Sequence, residues 1–249
     1  MIHSLRHSIL LLALVCCTCI VPAAAQQFNE DAWGQNSPGV VLKTVETART
    51  NTLAGTQLTY TLSGTGFPAD LNYSLWGWIP GRKPQMAIDG VTFDSKGVLI
   101  CNPKSPKCQT DKPDAPIQVK TTAVQGEPKR FAVVADNGRV AGFAEVVPFP
   151  IEATDKKCKL EVILQTPNAE KVLLRATGFV PYEMLNVSAT LGGQDTTHSP
   201  TTSADGSWQA VVDTRSPGKE SGTASVKISG QQCSVALTFN WGEGSGKVQ

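Results

Sequence analysis

The chain has 249 residues, of which 41% are hydrophobic and 17% charged, with 22 Lys and Arg against 21 Asp and Glu. The hydrophobic share is too high for a disordered chain, and the near-zero net charge argues against a nucleic-acid-binding protein. The length is sufficient for one large or two ordinary globular domains.

The first 25 residues have the features of a signal peptide. Arg6 precedes an apolar stretch at residues 9–21, and Ala23, Ala24 and Ala25 are the small residues that a signal peptidase recognises. The stretch is shorter than the roughly 20 residues needed to cross a bilayer. We therefore predict a secreted protein, periplasmic or extracellular, with no membrane insertion.

The cysteines predict two disulfides. Cleavage after Ala25 leaves four of them: Cys101, Cys108, Cys158 and Cys233. Four cysteines in an exported chain indicate a disulfide framework. A metal site is disfavoured because C-x6-C is not a zinc spacing and His198 is the one histidine left, so we expect no metal and no cofactor. Three connectivities are possible from the sequence alone.

Short runs with apolar residues at every second position, such as residues 58–62 and 235–239, predict half-buried β-strands. Turn signals separate these runs at roughly ten-residue intervals. The clearest hairpin spans residues 130–147, where Asn137 and Gly138 suit a type I′ turn. No window keeps a helical period without an interrupting Gly or Pro. The fold class is therefore predicted to be all-β.

One phrase of sequence occurs twice. Thr-Gly-Phe followed by Pro lies at residues 65–68 and again at 177–181, each time between two predicted strands. Downstream, residues 94–98 correspond to residues 203–207. A repeat of this length is domain-sized, so the sequence predicts two tandem copies of one fold, joined at the proline-containing residues 148–154.

About seven short strands in each copy predict an immunoglobulin-like β-sandwich. The predicted organisation is a signal peptide at 1–25, an N-terminal segment at 26–37, immunoglobulin-like domains at 38–150 and 151–241, and a flexible tail at 242–249. This division favours the pairs Cys101–Cys108 and Cys158–Cys233. In the second copy, Cys158 and Cys233 precede the first and last strands, whose starts would meet if these strands were parallel neighbours.

The repeated Thr-Gly-Phe corner resembles bacterial immunoglobulin-like repeats of exported and envelope proteins, over most of residues 38–241. A fainter likeness, carried by Gly64, Gly66, Ala69, Tyr73 and residues 99–103, is to the enediyne apo-chromoproteins. That resemblance implies carriage of a small apolar molecule, although the two domains and the cysteine spacing depart from that family. The motifs of the first resemblance imply a fold rather than an activity.

Motifs for catalysis fail in their context. Residues 64–69 match G-x-G-x-x-A, but a strand is predicted to follow where a dinucleotide site needs a helix. His198 lies beside Asp195 and Ser199 in one predicted loop, whereas the members of a catalytic triad converge from separate elements. Several carboxylates of the first copy could pair as in a hydrolase: Asp89, Asp94, Glu127, Asp136 and Glu145. No local signature selects a pair, so we predict that the protein is not an enzyme.

Trp76 and Trp78 are the candidate binding residues. They are two apart on a predicted strand and so face the same side of a sheet. Facing the core they are packing residues; facing outward they form a platform for a sugar ring or an apolar partner. The second copy has Ala189 and Leu191 near the corresponding place.

The leading hypothesis is therefore a non-catalytic secreted interaction or structural module of the cell envelope or extracellular space, with an unknown protein or glycan partner. The alternative is a carbohydrate-binding module with an aromatic platform formed by Trp76 and Trp78. A hydrolase built on paired carboxylates is a third hypothesis.

Overall fold

The computed structural model describes residues 34–52, 55–112 and 114–245. Every regular element in these ranges is a β-strand, as the alternating pattern predicts. The predicted signal peptide, most of the predicted N-terminal segment and the last four residues of the predicted tail lie outside the described residues. Within the described ranges, no helix is long and apolar enough to cross a membrane.

The N-terminal half of the described chain contains eight strands: β1 (Val41–Thr52), β2 (Gly55–Thr65), β3 (Tyr73–Trp78), β4 (Gln85–Phe93), β5 (Leu99–Cys101), β6 (Val119–Thr122), β7 (Lys129–Ala135) and β8 (Ala141–Val146). They form two antiparallel sheets, ordered β1-β2-β6 and β5-β4-β3-β7-β8. One buried apolar cluster draws on both sheets, with Leu58 and Tyr60 from the first and Leu75 and Val133 from the second. This arrangement is that of a β-sandwich.

The C-terminal half contains another eight strands: β9 (Ile151–Asp155), β10 (Cys158–Leu164), β11 (Lys171–Thr177), β12 (Asn186–Leu191), β13 (Gln194–His198), β14 (Trp208–Asp213), β15 (Ser221–Ser229) and β16 (Ser234–Gly242). Its antiparallel sheets are ordered β14-β11-β10-β9 and β13-β12-β15-β16. A second buried cluster again uses both sheets, including Leu160, Leu174, Val226 and Trp241. The order β4-β3-β7-β8 thus recurs as β13-β12-β15-β16, and β1-β2-β6 recurs as β10-β11-β14.

The repeated Thr-Gly-Phe phrase forms the same corner in both halves. Gly66 and Gly178 have φ of +78° and +80°, in the left-handed region that favours glycine. A Cβ at Gly66 would lie 2.1 Å from the Gly39 carbonyl oxygen, and one at Gly178 would lie 2.0 Å from the Lys157 carbonyl oxygen. Because the first corner leads into β3 and not into a helix, residues 64–69 form a turn without the geometry of a dinucleotide site.

The hairpin β7–β8 forms as predicted, but its turn is not type I′. The Gly138 N–H donates to the Ala135 carbonyl oxygen at 2.8 Å, so Asp136 and Asn137 are the central residues of the turn. Gly138 has a positive φ of +67° and Asn137 does not. The loop is longer than two residues, and longer hairpin loops commonly place one left-handed glycine after an ordinary turn.

The structure contains the disulfides Cys101–Cys108 and Cys158–Cys233, with Cα–Cα distances of 5.4 and 6.3 Å. The second does not join neighbouring strands, because β10 and β16 belong to different sheets. It links one sheet to the other and closes a sequence separation of 75 residues. The expectation that β10 and β16 are adjacent in one sheet is therefore wrong.

The two halves meet through backbone and side-chain contacts. The Leu164 N–H of the C-terminal half donates to the Gly126 carbonyl oxygen of the N-terminal half at 2.9 Å. Arg175 of β11 lies 3.3 Å from the carboxylate of Glu145 in β8. Residues 148–154, the predicted connection, include most of β9, and Gly242, the first residue of the predicted tail, ends β16.

Candidate binding cleft in the N-terminal half

Trp76 and Trp78 lie on the outer face of the five-stranded sheet. Their neighbours Tyr73 and Leu75 are fully buried in the N-terminal core, as the period of two requires. Both indoles are half-buried, and neither belongs to either core cluster. Of the two arrangements considered for these tryptophans, the structure has the outward one.

Strand register aligns an apolar row across this face. Trp76 lies opposite Met86 of β4 and Ala132 of β7, and Ala132 lies opposite Phe143 of β8. Met86, Trp76, Ala132 and Phe143 therefore lie side by side across the sheet. Ala132 is fully buried although it lies on the outer face, which shows that larger side chains cover it. The Trp76 Nε1–H donates to the Ser74 Oγ at 2.8 Å, which orients the indole.

Trp78 is held by a charged side chain. It pairs with Arg130 of β7, whose guanidinium carbon lies 4.0 Å from the centre of the indole. The Arg130 Nε in turn lies 2.5 Å from an oxygen of Glu145. A guanidinium over an indole is an attractive cation–π geometry, so Arg130 both covers one side of Trp78 and restricts its orientation.

Trp78 also lines a cleft of about 230 Å³ between the β3–β4 hairpin, β6 and the start of β7. Its apolar wall includes Ile79 and Met86, which are 48% and 50% exposed. Its lining contains five cationic side chains and no carboxylate: Arg82, Lys83, Lys120, Lys129 and Arg130. The lining of the cleft therefore combines apolar and positively charged residues.

Two of these cations have acidic partners outside the lining. Lys129 Nζ lies 2.8 Å from Glu127 Oε1, and both side chains are about nine-tenths buried or more. Arg130 pairs with Glu145 as described above. Arg82 and Lys120 are exposed. Positive charge therefore remains in the cleft after these pairs are counted.

The corresponding face of the C-terminal half differs in chemistry. Val187 and Ala189 of β12 are buried, so Thr190, not Ala189 or Leu191, takes the outward place that Trp76 occupies in β3. Thr190 lies between Asp195 and Ser225 on neighbouring strands. The shallow depression on this face is lined mainly by small polar residues, together with Lys227 and Asp195. It contains no aromatic residue.

Four of the five carboxylates considered for catalysis are engaged in hydrogen bonds or ion pairs. Asp94 Oδ1 accepts the backbone N–H groups of Lys96 and Val98 in a turn. Asp89 lies 3.0 Å from Lys107, and Glu127 and Glu145 pair with cations as described above. These contacts give structural roles to Asp89, Asp94, Glu127 and Glu145, while Asp136 is a central residue of the β7–β8 turn.

His198 ends edge strand β13 and is exposed. It lies on the same short strand as Asp195, so the two do not approach from separate elements. In the part of the chain that the structure describes, no group of three or more His, Cys, Asp or Glu side chains could hold a metal ion.

The cations of the cleft are not among the residues predicted from the sequence. Arg82 comes from the β3–β4 turn and Lys120 from edge strand β6, which belongs to the other sheet. The sequence signal nearest to them is the Gly81-Arg82-Lys83 turn, just after Trp78. Nothing in the sequence indicates that Lys120 lies near this turn.

No family model and no curated protein matches the chain. Among solved structures, it superposes on a tetra-tandem repeat in the extending region of a large adhesion protein, with 15% identity over 81% of this chain and 48% of that chain, at a TM-score of 0.24. It also superposes on a 1.5-MDa bacterial ice-binding adhesin, with 16% identity over 84% of this chain and 65% of that chain, at a TM-score of 0.24. A red sea bream transglutaminase gives 9% identity over 84% and 32% of the two chains, at a TM-score of 0.26.

This chain therefore spans about half to two-thirds of the adhesin chains on which it superposes. At TM-scores this low the superpositions establish neither a common fold nor a common function. Neither the resemblance to bacterial immunoglobulin-like repeats nor that to the apo-chromoproteins is confirmed. The functional interpretation rests on the chain's own residues.

Proposed function

We propose that this chain is a non-catalytic interaction module of the periplasm or the extracellular space, and that its partner is a carbohydrate bound at the outer face of the N-terminal half. The observation that carries the proposal is the outward orientation of Trp76 and Trp78, with Trp78 in the wall of a cleft. Two tandem immunoglobulin-like domains, at 38–150 and 151–241, form the scaffold.

The scaffold assignment is supported by the repeated sheet order. Each half packs a sheet that contains β1-β2-β6, or β10-β11-β14, against one that contains β4-β3-β7-β8, or β13-β12-β15-β16. Two antiparallel sheets, of three and five strands in one half and four and four in the other, pack about one apolar core per half, as in immunoglobulin-like sandwiches.

Location outside the cytoplasm is supported by the cysteines. The four of them in the described residues form two disulfides, which persist in oxidising compartments and are rare in a reducing cytosol. The predicted signal peptide at 1–25 supports the same location.

Carbohydrate binding is supported by the chemistry of the face. An indole offers a flat apolar surface to the C–H side of a sugar ring, while its N–H can satisfy a polar group. Arg130 holds Trp78 in place before any ligand arrives, and a preorganised side chain loses less entropy on binding. Ile79 and Met86 extend the apolar surface beside Trp78.

The test is a glycan array probed with the purified mature protein and with the double variant Trp76→Ala, Trp78→Ala. We expect the wild type to bind a subset of glycans, and the double variant to lose at least about tenfold in affinity because two large contact surfaces are removed. The matched control is Thr190→Ala, which changes the corresponding face of the C-terminal half and is expected to bind as the wild type does.

Circular dichroism and thermal unfolding establish that each variant is folded. Binding that survives the double tryptophan variant, or a wild type that binds no glycan, would contradict the carbohydrate proposal. Hydrolysis of a bound glycan by the wild type would contradict the non-catalytic role.

A further inference from the structure

We infer that the cleft beside Trp78 selects an acidic carbohydrate, a sugar that carries a carboxylate or sulfate group, with its ring against Trp78 and its acidic group toward Arg82 and Lys120. This inference rests on the proposed carbohydrate binding and adds the charge of the ligand.

The cleft concentrates charge in a chain that is otherwise balanced. The whole sequence has 22 basic and 21 acidic residues, yet the cleft lining has five basic side chains and no acidic one. Arg82 and Lys120 form no ion pair with any residue in the described ranges. A concave surface of one sign focuses the electric field and raises the local concentration of an oppositely charged ligand.

The volume and the apolar residues of the cleft restrict the kind of anion that it would bind. Its volume of about 230 Å³ is below the range of roughly 300–1,000 Å³ typical of sites for drug-sized ligands, so it fits a single ring better than a bulky molecule. An inorganic anion would leave the apolar wall of Trp78, Ile79 and Met86 unused. An acidic sugar has both an apolar ring face and a fixed negative group.

The residues that line the cleft match such a ligand in kind. Trp78 offers the flat apolar surface, while Arg82 can donate two parallel N–H bonds to a carboxylate or sulfate and Lys120 adds a compact positive charge. The corresponding face of the C-terminal half has Lys227 and Asp195 together and no aromatic residue, so it lacks both components.

The experiment measures binding by calorimetry of oligogalacturonate and of its methyl ester, which has the same rings without the charge. A sulfated oligosaccharide is measured beside them. We expect the wild type to bind at least one of the two acidic ligands about tenfold or more tightly than the neutral ester, with an affinity that falls as salt rises. The variant Arg82→Gln, Lys120→Gln is expected to lose this preference while keeping its weak affinity for the ester.

The matched control is Lys43→Gln, Lys219→Gln, which removes the same charge at exposed positions outside the cleft. It should bind as the wild type does; an equal loss in this control would show a general charge effect and overturn the inference. Equal binding of acid and ester by the wild type would also overturn it, while leaving neutral carbohydrate binding intact.

A probe of another class completes the test. Poly-glutamate should bind more weakly than the preferred acidic sugar and should not depend on Trp78. If it binds as tightly and depends on Arg82 and Lys120 alone, the partner is an acidic peptide and the inference is wrong. Absence of binding to every carbohydrate would overturn the inference and the proposed carbohydrate binding together.

Discussion

The two halves of the molecule share a scaffold and differ at one face of it. Gly66 and Gly178 form equivalent corners, and corresponding strands have the same order. On the outer face, however, β3 presents Trp76 and Trp78 where β12 presents Thr190. The features that the halves share define the fold, and the tryptophans that only the N-terminal half adds mark the proposed place of binding.

The halves also differ in how they are crosslinked. Cys158–Cys233 links the two sheets of the C-terminal half, whereas Cys101–Cys108 closes a short loop after β5 in the N-terminal half. The N-terminal core contains Tyr60 and Tyr73, and the C-terminal core cluster contains no tyrosine. These differences can be used to separate the stabilities of the two halves.

The largest expected effect is loss of the long disulfide. In the chain-entropy model, replacing Cys158 and Cys233 with Ser should lower the free energy of unfolding of the C-terminal half by about 4 kcal/mol, and replacing Cys101 and Cys108 should lower that of the N-terminal half by about 2 kcal/mol. Urea unfolding followed by tryptophan fluorescence, with tryptophans in both halves, measures the two losses. Equal losses would show that loop length does not govern them.

The next effect tests whether the two corners are equivalent. Gly66→Ala and Gly178→Ala should each lower the free energy of unfolding by about 3 kcal/mol, because a left-handed backbone and a clash with a carbonyl oxygen both act there. Gly218→Ala is the matched control: its φ is +75°, but a Cβ would meet nothing within 4 Å, so only about 1 kcal/mol is expected. Corner variants no worse than this control would refute the equivalence.

The smallest effect is an alkaline pH dependence that arises from two buried tyrosines of the N-terminal half. Burial raises the pKa of Tyr60 and of Tyr73 to about 12 from the usual 10, with nearby Glu46 and Asp70 adding to the shift. The folded state therefore favours the neutral phenols. Their contribution to stability is complete below pH 10 and is lost as the pH rises through about 12.

Urea unfolding between pH 9 and 11 should show the N-terminal half losing stability first, since its loss of stability begins near the usual tyrosine pKa. Tyr60→Phe is the sharpest variant, because the Tyr60 hydroxyl is buried and has no hydrogen-bond partner within the described ranges. It should weaken the pH dependence without lowering stability at pH 7. A pH profile unchanged by this variant would exclude Tyr60 as a source.

Much of the scaffold was accessible from the sequence because its signals are local. The alternation at residues 58–62 predicts the burial of Leu58, Tyr60 and Leu62, all at most 1% exposed. No local signal shows whether the indoles face the core or the outside of the sheet, because this depends on the pairing of β3 with β7 and on irregularities in its pairing with β4. The sequence aligned Trp76 with Ala189, whereas Thr190 is its structural counterpart. A shift of one residue along a strand moves a side chain to the opposite face of the sheet.

The charged wall of the cleft was beyond sequence reasoning for a related reason. Arg82 and Lys120 belong to a hairpin turn and to an edge strand of the opposite sheet, so only the packing of the sheets brings them together. The type I′ turn was also wrongly predicted, because Asn137 and Gly138 are compatible with several loop lengths and the length is set by where β7 and β8 stop pairing.

A short stretch of chain, residues 126–129, ties the cleft to the rest of the molecule. At one end, the Gly126 carbonyl oxygen accepts a hydrogen bond from Leu164 of the C-terminal half. At the other end, Lys129 lines the cleft and forms an ion pair with buried Glu127. A hinge motion between the halves that kept these bonds would carry Lys129 with it. Four consecutive residues thus connect the lining of the cleft directly to the C-terminal half.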